Sequence, residues 1–318
     1  MSTKTSERRR TASNKPLIPV VREMPADLET PVSVFLKLRA AGARFLLESV
    51  EQGETLGRYS FIGVDAWQTY SVEGTTSILE TAKGVERKPL GKRSPLDPLR
   101  DLMARVEVRR TPGVPRLLGG AVGYLGYEFV HALERVPKPK LDPLGLPLCR
   151  FDFINTLVIF DHIRRRLLVA SLEGVGGDPR GRIEEILGVL RRPLPPQPRH
   201  PAHPRSATGS AFASNFTKAS FEKAVRKAKE YISIGDIFQV VLSHRMSGEV
   251  SVEPFQVYRA LRILNPSPYM FFLDYGDFKL VGSSPEVHVK LAGGEALIRP
   301  IAGTRPRGKT EAEDRALE

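Results

Sequence analysis

Between positions 191 and 213 this chain is barred from forming a regular element. Pro193, Pro195, Pro196, Pro198, Pro201 and Pro204 fix φ, withhold backbone N–H donors and break helix and sheet ladders alike. The segment reads as a linker, so whatever core forms must form on either side of it. At roughly 150 residues per domain, a chain of 318 residues accommodates one domain over 17–190 and a second over 214–318. Residues 1–16 read as a disordered basic tail.

Hydrophobic periodicity predicts the elements. Thr30 can cap a helix, Pro31 suits its first position, and Gly42 suits the exit. Strand-like runs cover Arg44 to Val50, Tyr59 to Val64 and Trp67 to Val72. A second helix is expected from Ser94–Pro95, and further strands at Leu117 to Tyr124, Phe151 to Phe160 and Leu167 to Leu172. After the linker, Phe221, Val225, Ala228 and Ile232 form one helical stripe, with Ser220 as the expected cap and Gly235 as a left-handed exit. A strand is expected at Ile237 to Ser243, and a helix from Pro254 to about Leu264. Strands at Tyr269 to Leu273, Phe278 to Gly282, Val287 to Leu291 and Ala296 to Ile301 follow. Strands separated by turns, with occasional helices, predict an α+β fold of mostly antiparallel sheets packed as a sandwich with helices outside.

Composition excludes several function classes. No apolar run approaches the roughly 20 residues that span a bilayer, and no apolar stretch follows the basic N-terminus, so it is not a secretory signal. The lone cysteine, Cys149, cannot pair within the chain and suggests a reducing compartment, the cytoplasm. The net charge of +12 invites nucleic-acid binding, yet Lys4, Arg8, Arg9, Arg10 and Lys15 lie in the tail, and Arg191, Arg192, Arg199 and Arg205 in the linker. A nucleic-acid groove needs clustered cations with interleaved aromatics, and none is present.

Several motifs carry candidate chemistry. Gly303 to Thr310 fits the spacing of a phosphate loop ending Gly308-Lys309-Thr310. Pro306 inside it donates no N–H, and the parallel-sheet strands that complete a nucleotide site have no residues to come from. Gly120, Gly123 and Gly126 lack the tight Gly-x-Gly pair of a dinucleotide loop, and close packing between strands explains them better. The histidines are scattered, without metal-type spacing. Gln239 sits in an apolar run, where a buried amide needs partners; it is either a structural hydrogen-bonding group or a polar group aimed into a cavity. Glu48–Ser49 end an apolar strand. Asn265-Pro266-Ser267-Pro268-Tyr269-Met270 is a stiff turn before a strand, which also suits holding a zwitterion.

Taken in order, Leu46 to Ser49, Gly57 to Gly63, Gly119 to Tyr124, Gly235 to Val241, Asn265 to Met270, Gly282 to Glu286 and Arg299 to Gly308 resemble component I, the large subunit, of the anthranilate synthases. The resemblance covers most of residues 20–318. It implies conversion of chorismate and ammonia to anthranilate and pyruvate. Mg²⁺ would orient the ring carboxylate, a glutamine amidotransferase subunit (component II) would supply ammonia, and L-tryptophan would inhibit from a separate site.

Residue by residue, Gly303 and Thr304 match the chorismate-carboxylate contacts. Glu48, Ser49, Pro268, Tyr269 and Met270 match the tryptophan site. Gln239 stands in the catalytic region where water-using relatives carry a Lys base, and an amide cannot deprotonate water. Ala302 stands where aminodeoxychorismate synthases carry a nucleophilic Lys, so that chemistry is disfavoured. By the same resemblance, the Mg²⁺ ligands and most chorismate contacts are expected beyond residue 318. The second half is therefore expected to be incomplete and the chain inactive alone. The alternatives are a short protein that only binds tryptophan or the amidotransferase, an aminodeoxychorismate synthase-like relative, and a nucleotide- or nucleic-acid-binding protein.

Overall fold

The structure, a computed structural model, describes residues 16–49, 57–137, 142–197, 212–299 and 306–317. The tail up to residue 15, the middle of the proline segment, and Ala302, Gly303 and Thr304 lie outside the described residues. In chain order the elements are β1 (Ile18–Pro25), α1 (Pro31–Leu38), β2 (Ala43–Glu48), β3 (Tyr59–Glu73), β4 (Thr76–Thr81), β5 (Gly84–Pro89), α2 (Asp97–Met103), β6 (Gly120–Leu125), β7 (Cys149–Asp161), β8 (Arg166–Glu173) and α3 (Pro179–Leu190). Then come β9 (Ala213–Ser214), α4 (Lys218–Ser233), β10 (Met246–Ser247), α5 (Pro254–Leu264), β11 (Tyr269–Asp274), β12 (Lys279–Ser284), β13 (Lys290–Ala292), β14 (Glu295–Leu297) and α6 (Glu311–Leu317). The α+β class, with mostly antiparallel strands and helices outside, is as expected.

Two compact units emerge, Met1–Pro196 with Pro254–Pro285, and Gln197–Glu253 with Glu286–Glu318. The division drawn from sequence at 214–318 is thus not continuous in space. The segment carrying α5, β11 and β12 belongs with the first unit, because β11 pairs antiparallel with β2, Phe271 opposite Leu47 and Met270 opposite Glu48.

The first unit is built on the long β3–β7 pair, whose register runs from Tyr59 opposite Asp161 to Val72 opposite Cys149. Tyr59 to Val64 and Trp67 to Val72, expected as separate strands, are one strand interrupted by a register shift between Ala66 and Gln68. There Asp65 adopts φ 63°, and Arg182 of α3 holds its carboxylate at 2.7 and 2.9 Å. The sheet forks at this point. One branch runs β1-β8-β7-β3-β2-β11-β12, while β6 pairs the other half of β7, and β4 and β5 extend the other half of β3.

Helices α1, α3 and α5 cover one face of the main branch, with Phe35, Phe255, Ile62, Val158, Ile186 and Phe272 buried between. Thr30 caps α1 as the sequence predicts, and the structure adds a reciprocal capping box: Ser33 N donates to Thr30 Oγ1 at 3.0 Å and Thr30 N to Ser33 Oγ at 2.9 Å. Burial of each such apolar side chain contributes roughly 1.5–3 kcal/mol. The opposite face buries Phe45, Leu157, Ile159, Leu168 and Leu273. Gly123 is fixed by close approach, since a Cβ there would lie 1.9 Å from the Arg150 carbonyl oxygen. The close-packing account of that glycine run holds at this position.

In the second unit α4 forms, but its cap is Thr217, whose Oγ1 accepts from Ser220 N at 3.2 Å, and not Ser220. The strand expected at Ile237 to Ser243 does not form. An alternating apolar run becomes a strand only against a partner edge, and among the described residues none pairs with it. Gln239 therefore lies in an exposed, irregular segment and not mid-strand, with Phe238 and Val241 88% and 84% exposed.

Candidate functional site

Three adjacent strands bring the first candidate residues together. Across β11, β2 and β3, Phe271 faces Leu47 and Leu47 faces Phe61. Period-two alternation puts this row on the face away from the helices. It floors a cleft of about 360 Å³ that is also walled by Ser49, Tyr59, Leu117, Pro268 and Tyr269. The stiff Asn265–Met270 turn is anchored at both ends. Ser267 Oγ donates to the Ser284 carbonyl at 2.9 Å, and Ser283 Oγ to the Asn265 carbonyl at 2.7 Å. Glu48, Ser49, Pro268, Tyr269 and Met270 are thus neighbours although some 220 residues separate the two groups in sequence.

Their roles in the cleft differ. Ser49 lines it with a buried Oγ that has no hydrogen-bond partner among the described residues. Such an orphan costs free energy unless a ligand satisfies it. Glu48, by contrast, is 5% exposed and turns its carboxylate to α5. Tyr258 Oη donates to Glu48 Oε2 at 2.6 Å and Arg262 Nε at 2.9 Å. Burial, the Glu48 charge and this hydrogen bond hold the Tyr258 hydroxyl far above its ordinary range, so it remains a donor at neutral pH. Met270 is buried with the helix-side core. Glu48 and Met270 therefore face the helices and shape the cleft wall through their backbone.

Sequence reasoning missed Arg58 and Asp161. Arg58 Nε and Nη2 donate to Asp161 Oδ1 and Oδ2 at 3.2 and 3.1 Å, a fork-on-fork pair. The Arg58 guanidinium also lies 4.8 Å over the Tyr59 ring. Burial raises the Asp161 carboxyl, but the Arg58 hydrogen bond, the Arg164 N–H and the charges of Arg58 and Arg166 reverse this and hold it below the usual carboxylate range. Beside it, His162 accepts or donates at Nε2 to Ser60 Oγ at 2.8 Å. Burial lowers its pKa, partly offset by the Glu48 and Asp161 charges. The only sequence signal for Arg58 was its place in the Gly57 to Gly63 motif.

The other candidates do not gather. Gln239 is exposed in the second unit, and Gly303 and Thr304 lie outside the described residues. The described part of the phosphate-loop pattern is occupied by its own acids. Gly308 N donates to Asp314 Oδ1 and Lys309 N to Glu313 Oε2, both at 2.8 Å, so those N–H groups are spent. Among the described residues no three His, Cys, Asp or Glu side chains gather to hold a metal. The described residues therefore do not fit the Mg²⁺ that the resemblance implies.

Comparison with known proteins decides the family, for the profile of the chorismate binding enzymes matches residues 43–318. The chain belongs to that family. Anthranilate synthase component 1 of Acetivibrio thermocellus is 38% identical over 95% of this chain and 63% of the relative. The same-named proteins of Pseudomonas aeruginosa and Thermus thermophilus are 41% and 43% identical, over 95% and 92% of this chain and 62% and 61% of theirs. The chain thus spans about three fifths of the length of the curated relatives it matches. The crystal structure of anthranilate synthase component I from Streptococcus pneumoniae superposes with a TM-score of 0.60 at 27% identity, over 78% of this chain and 55% of that one. The menaquinone-specific isochorismate synthase MenF of Escherichia coli, at 13% identity and TM-score 0.50, shares the fold. Among the described residues no helix is long and apolar enough to cross a membrane.

Proposed function

We propose that this chain is the tryptophan-sensing part of an anthranilate synthase component I, and that the cleft between Leu47–Ser49 and Pro268–Tyr269 binds L-tryptophan. The observation that carries it is the cleft itself. Its floor is a row of apolar and aromatic side chains of a size to take an indole, and its rim holds an unsatisfied hydroxyl at Ser49. A small-ligand site combines apolar walls with a few placed polar groups in this manner.

In the whole enzyme the reaction would be chorismate plus ammonia giving anthranilate, pyruvate and water. Component II, a glutamine amidotransferase, would supply the ammonia in the cytoplasm. Gln239, an amide where a Lys base would serve water, supports ammonia as the nucleophile. Tryptophan in the cleft would lower turnover through differential affinity for two states of the enzyme. Alone, this chain is expected to make no anthranilate from chorismate, Mg²⁺ and ammonium, because its described residues gather no metal ligands. Turnover that survives purification would overturn that expectation.

The direct test is calorimetric titration with L-tryptophan, expected to show one site per chain. Ser49→Phe fills the cleft, and overpacking of this kind should weaken binding roughly fivefold to a hundredfold. Unchanged affinity removes Ser49 from the site, and no binding by the parent chain removes the function.

A further inference from the structure

We propose that a cavity beyond the end of β6 is a second ligand site, one that takes a primary ammonium carried on an apolar or aromatic body, with Glu128 and His131 binding the ammonium. It shares no lining residue with the tryptophan cleft and does not depend on that reading.

The cavity encloses about 530 Å³, a volume ordinary for a small-molecule site. Its walls are tied together by the first unit's own backbone. After β6 the chain turns into a short 3₁₀ helix, Tyr127–Ala132. Gly126 is pinned at the join. Its N–H donates to the Leu148 carbonyl at 2.7 Å, and a Cβ there would lie 3.0 Å from that oxygen. Tyr124 Oη donates to the Pro147 carbonyl at 2.7 Å. Asp142 Oδ1 accepts from Leu144 N and Gly145 N at 3.2 and 3.1 Å and turns the returning segment back toward β7. A cavity held in this way is formed before a ligand arrives, so little ordering is left to oppose binding.

Polar groups are left over inside it. Residues three apart on a 3₁₀ helix lie along one edge, so Glu128 and His131 line the cavity together. His131 Nδ1 is buried without a hydrogen-bond partner among the described residues. The Glu128 carboxylate has neither a hydrogen bond nor an ion pair among them. An orphaned buried nitrogen costs free energy until something satisfies it. No Lys or Arg among the described residues lines the cavity, so its charge is negative and complements a cation. A metal ion does not fit, because no three His, Cys, Asp or Glu side chains gather there. A primary ammonium fits. It has three N–H donors, of which Glu128 can accept one and unprotonated His131 Nδ1 another. Leu144, Leu146, Leu148 and Tyr124 would pack on the ligand's body. A carboxylate on the same ligand would be desolvated with no cation to receive it, so the site accepts an amine and rejects the corresponding amino acid.

The test titrates the whole chain calorimetrically with 2-phenylethylamine, 2-phenylethanol and L-phenylalanine, which share the ring and differ in charge. The amine should bind tighter than either of the others by roughly tenfold or more, the scale of a charge-assisted hydrogen bond. Because Glu128 is exposed, added salt should shrink that preference. Glu128→Gln should bring the amine-to-alcohol ratio close to one, and Glu128→Asp should retain part of it. His131→Phe should weaken the amine and leave the alcohol in place. A merely structural role would weaken amine and alcohol together and leave the ratio standing, which overturns the proposal. So does an undetectable or unselective amine in the parent chain, or L-phenylalanine binding as tightly as the amine. If His131→Phe does not fold, Glu128→Gln decides alone, since this exposed side chain has no partner to lose.

Discussion

Removing the ring of Phe255 should unfold the first unit as readily as removing a residue of its own contiguous sequence. Phe255, on α5, is fully buried and stacks on Phe35 of α1 with ring centroids 4.5 Å apart and planes at 27°. Both rings also meet Phe272 edge-on, at 5.1 and 5.4 Å. Phe→Ala at such a site costs about 3–5 kcal/mol from lost transfer energy and the cavity left behind. The stack itself adds about 0.5–1.5 kcal/mol beyond area. In a double-mutant cycle Phe35→Ala and Phe255→Ala should therefore be non-additive by about that amount. The assay is urea unfolding followed by the fluorescence of Trp67, the chain's sole tryptophan. Its ring packs on Phe153 at 5.6 Å in a separate cluster of the same unit, so the signal reports cooperative unfolding of that unit. The midpoint should fall at unchanged slope. If Phe255→Ala leaves the Trp67 transition in place, or the two substitutions add without coupling, α5 is not part of the first unit's core.

Other outcomes follow from the same contacts. Gly282→Ala would set a Cβ 2.1 Å from the Phe271 ring; the ring must move within the cleft, so tryptophan affinity should drop at least severalfold, and an undiminished affinity would show that Phe271 is not its floor. His162 is held below its ordinary pKa by burial, so the unfolded chain binds its proton first. The stability from His162 is then present above about pH 6.5 and is lost as pH falls below that value. His162→Gln should flatten this part of the stability-versus-pH curve, and an unaltered slope would assign the dependence elsewhere. Burial also pushes the Cys149 thiol up to about 11, so it should resist alkylation at neutral pH until the chain unfolds; rapid labelling of the native chain would contradict its placement.

Much of the fold was legible because local signals and tertiary packing agree. Thr30 with Pro31, and Pro254 followed by Phe255 and Tyr258, announce α1 and α5, and β7 and β8 announce themselves as largely apolar runs bounded by polar residues. What sequence reading missed has physical reasons. β5, Gly84–Pro89, is exposed throughout and carries no alternation, so only its pairing with β4 makes it a strand. β1 carries Arg22 and Glu23 and becomes a strand by lying along buried β8. The helix α3 carries Asp178-Pro179 at its start and Ile183, Ile186, Leu187 and Leu190 at helical spacing, a signal that the sequence reading passed over just before the linker at 191–213. Ile237 to Ser243 erred the other way, with strand-like residues and no edge to pair with. In the site, motif order marked Ser49 and Pro268–Tyr269, which the structure brings together. Glu48 lies beside them in sequence, but its carboxylate faces Tyr258 and Arg262, an arrangement that depends on α5 folding back over β2. Arg58 with Asp161 is a partnership across the β3–β7 register, which no local pattern in either segment encodes.

The most direct measurement is a crystal structure of the chain grown with L-tryptophan. The indole should lie over Phe61 and Phe271 between Ser49 and Tyr269. Tryptophan seated anywhere else on the chain, with this cleft left open, would contradict the account.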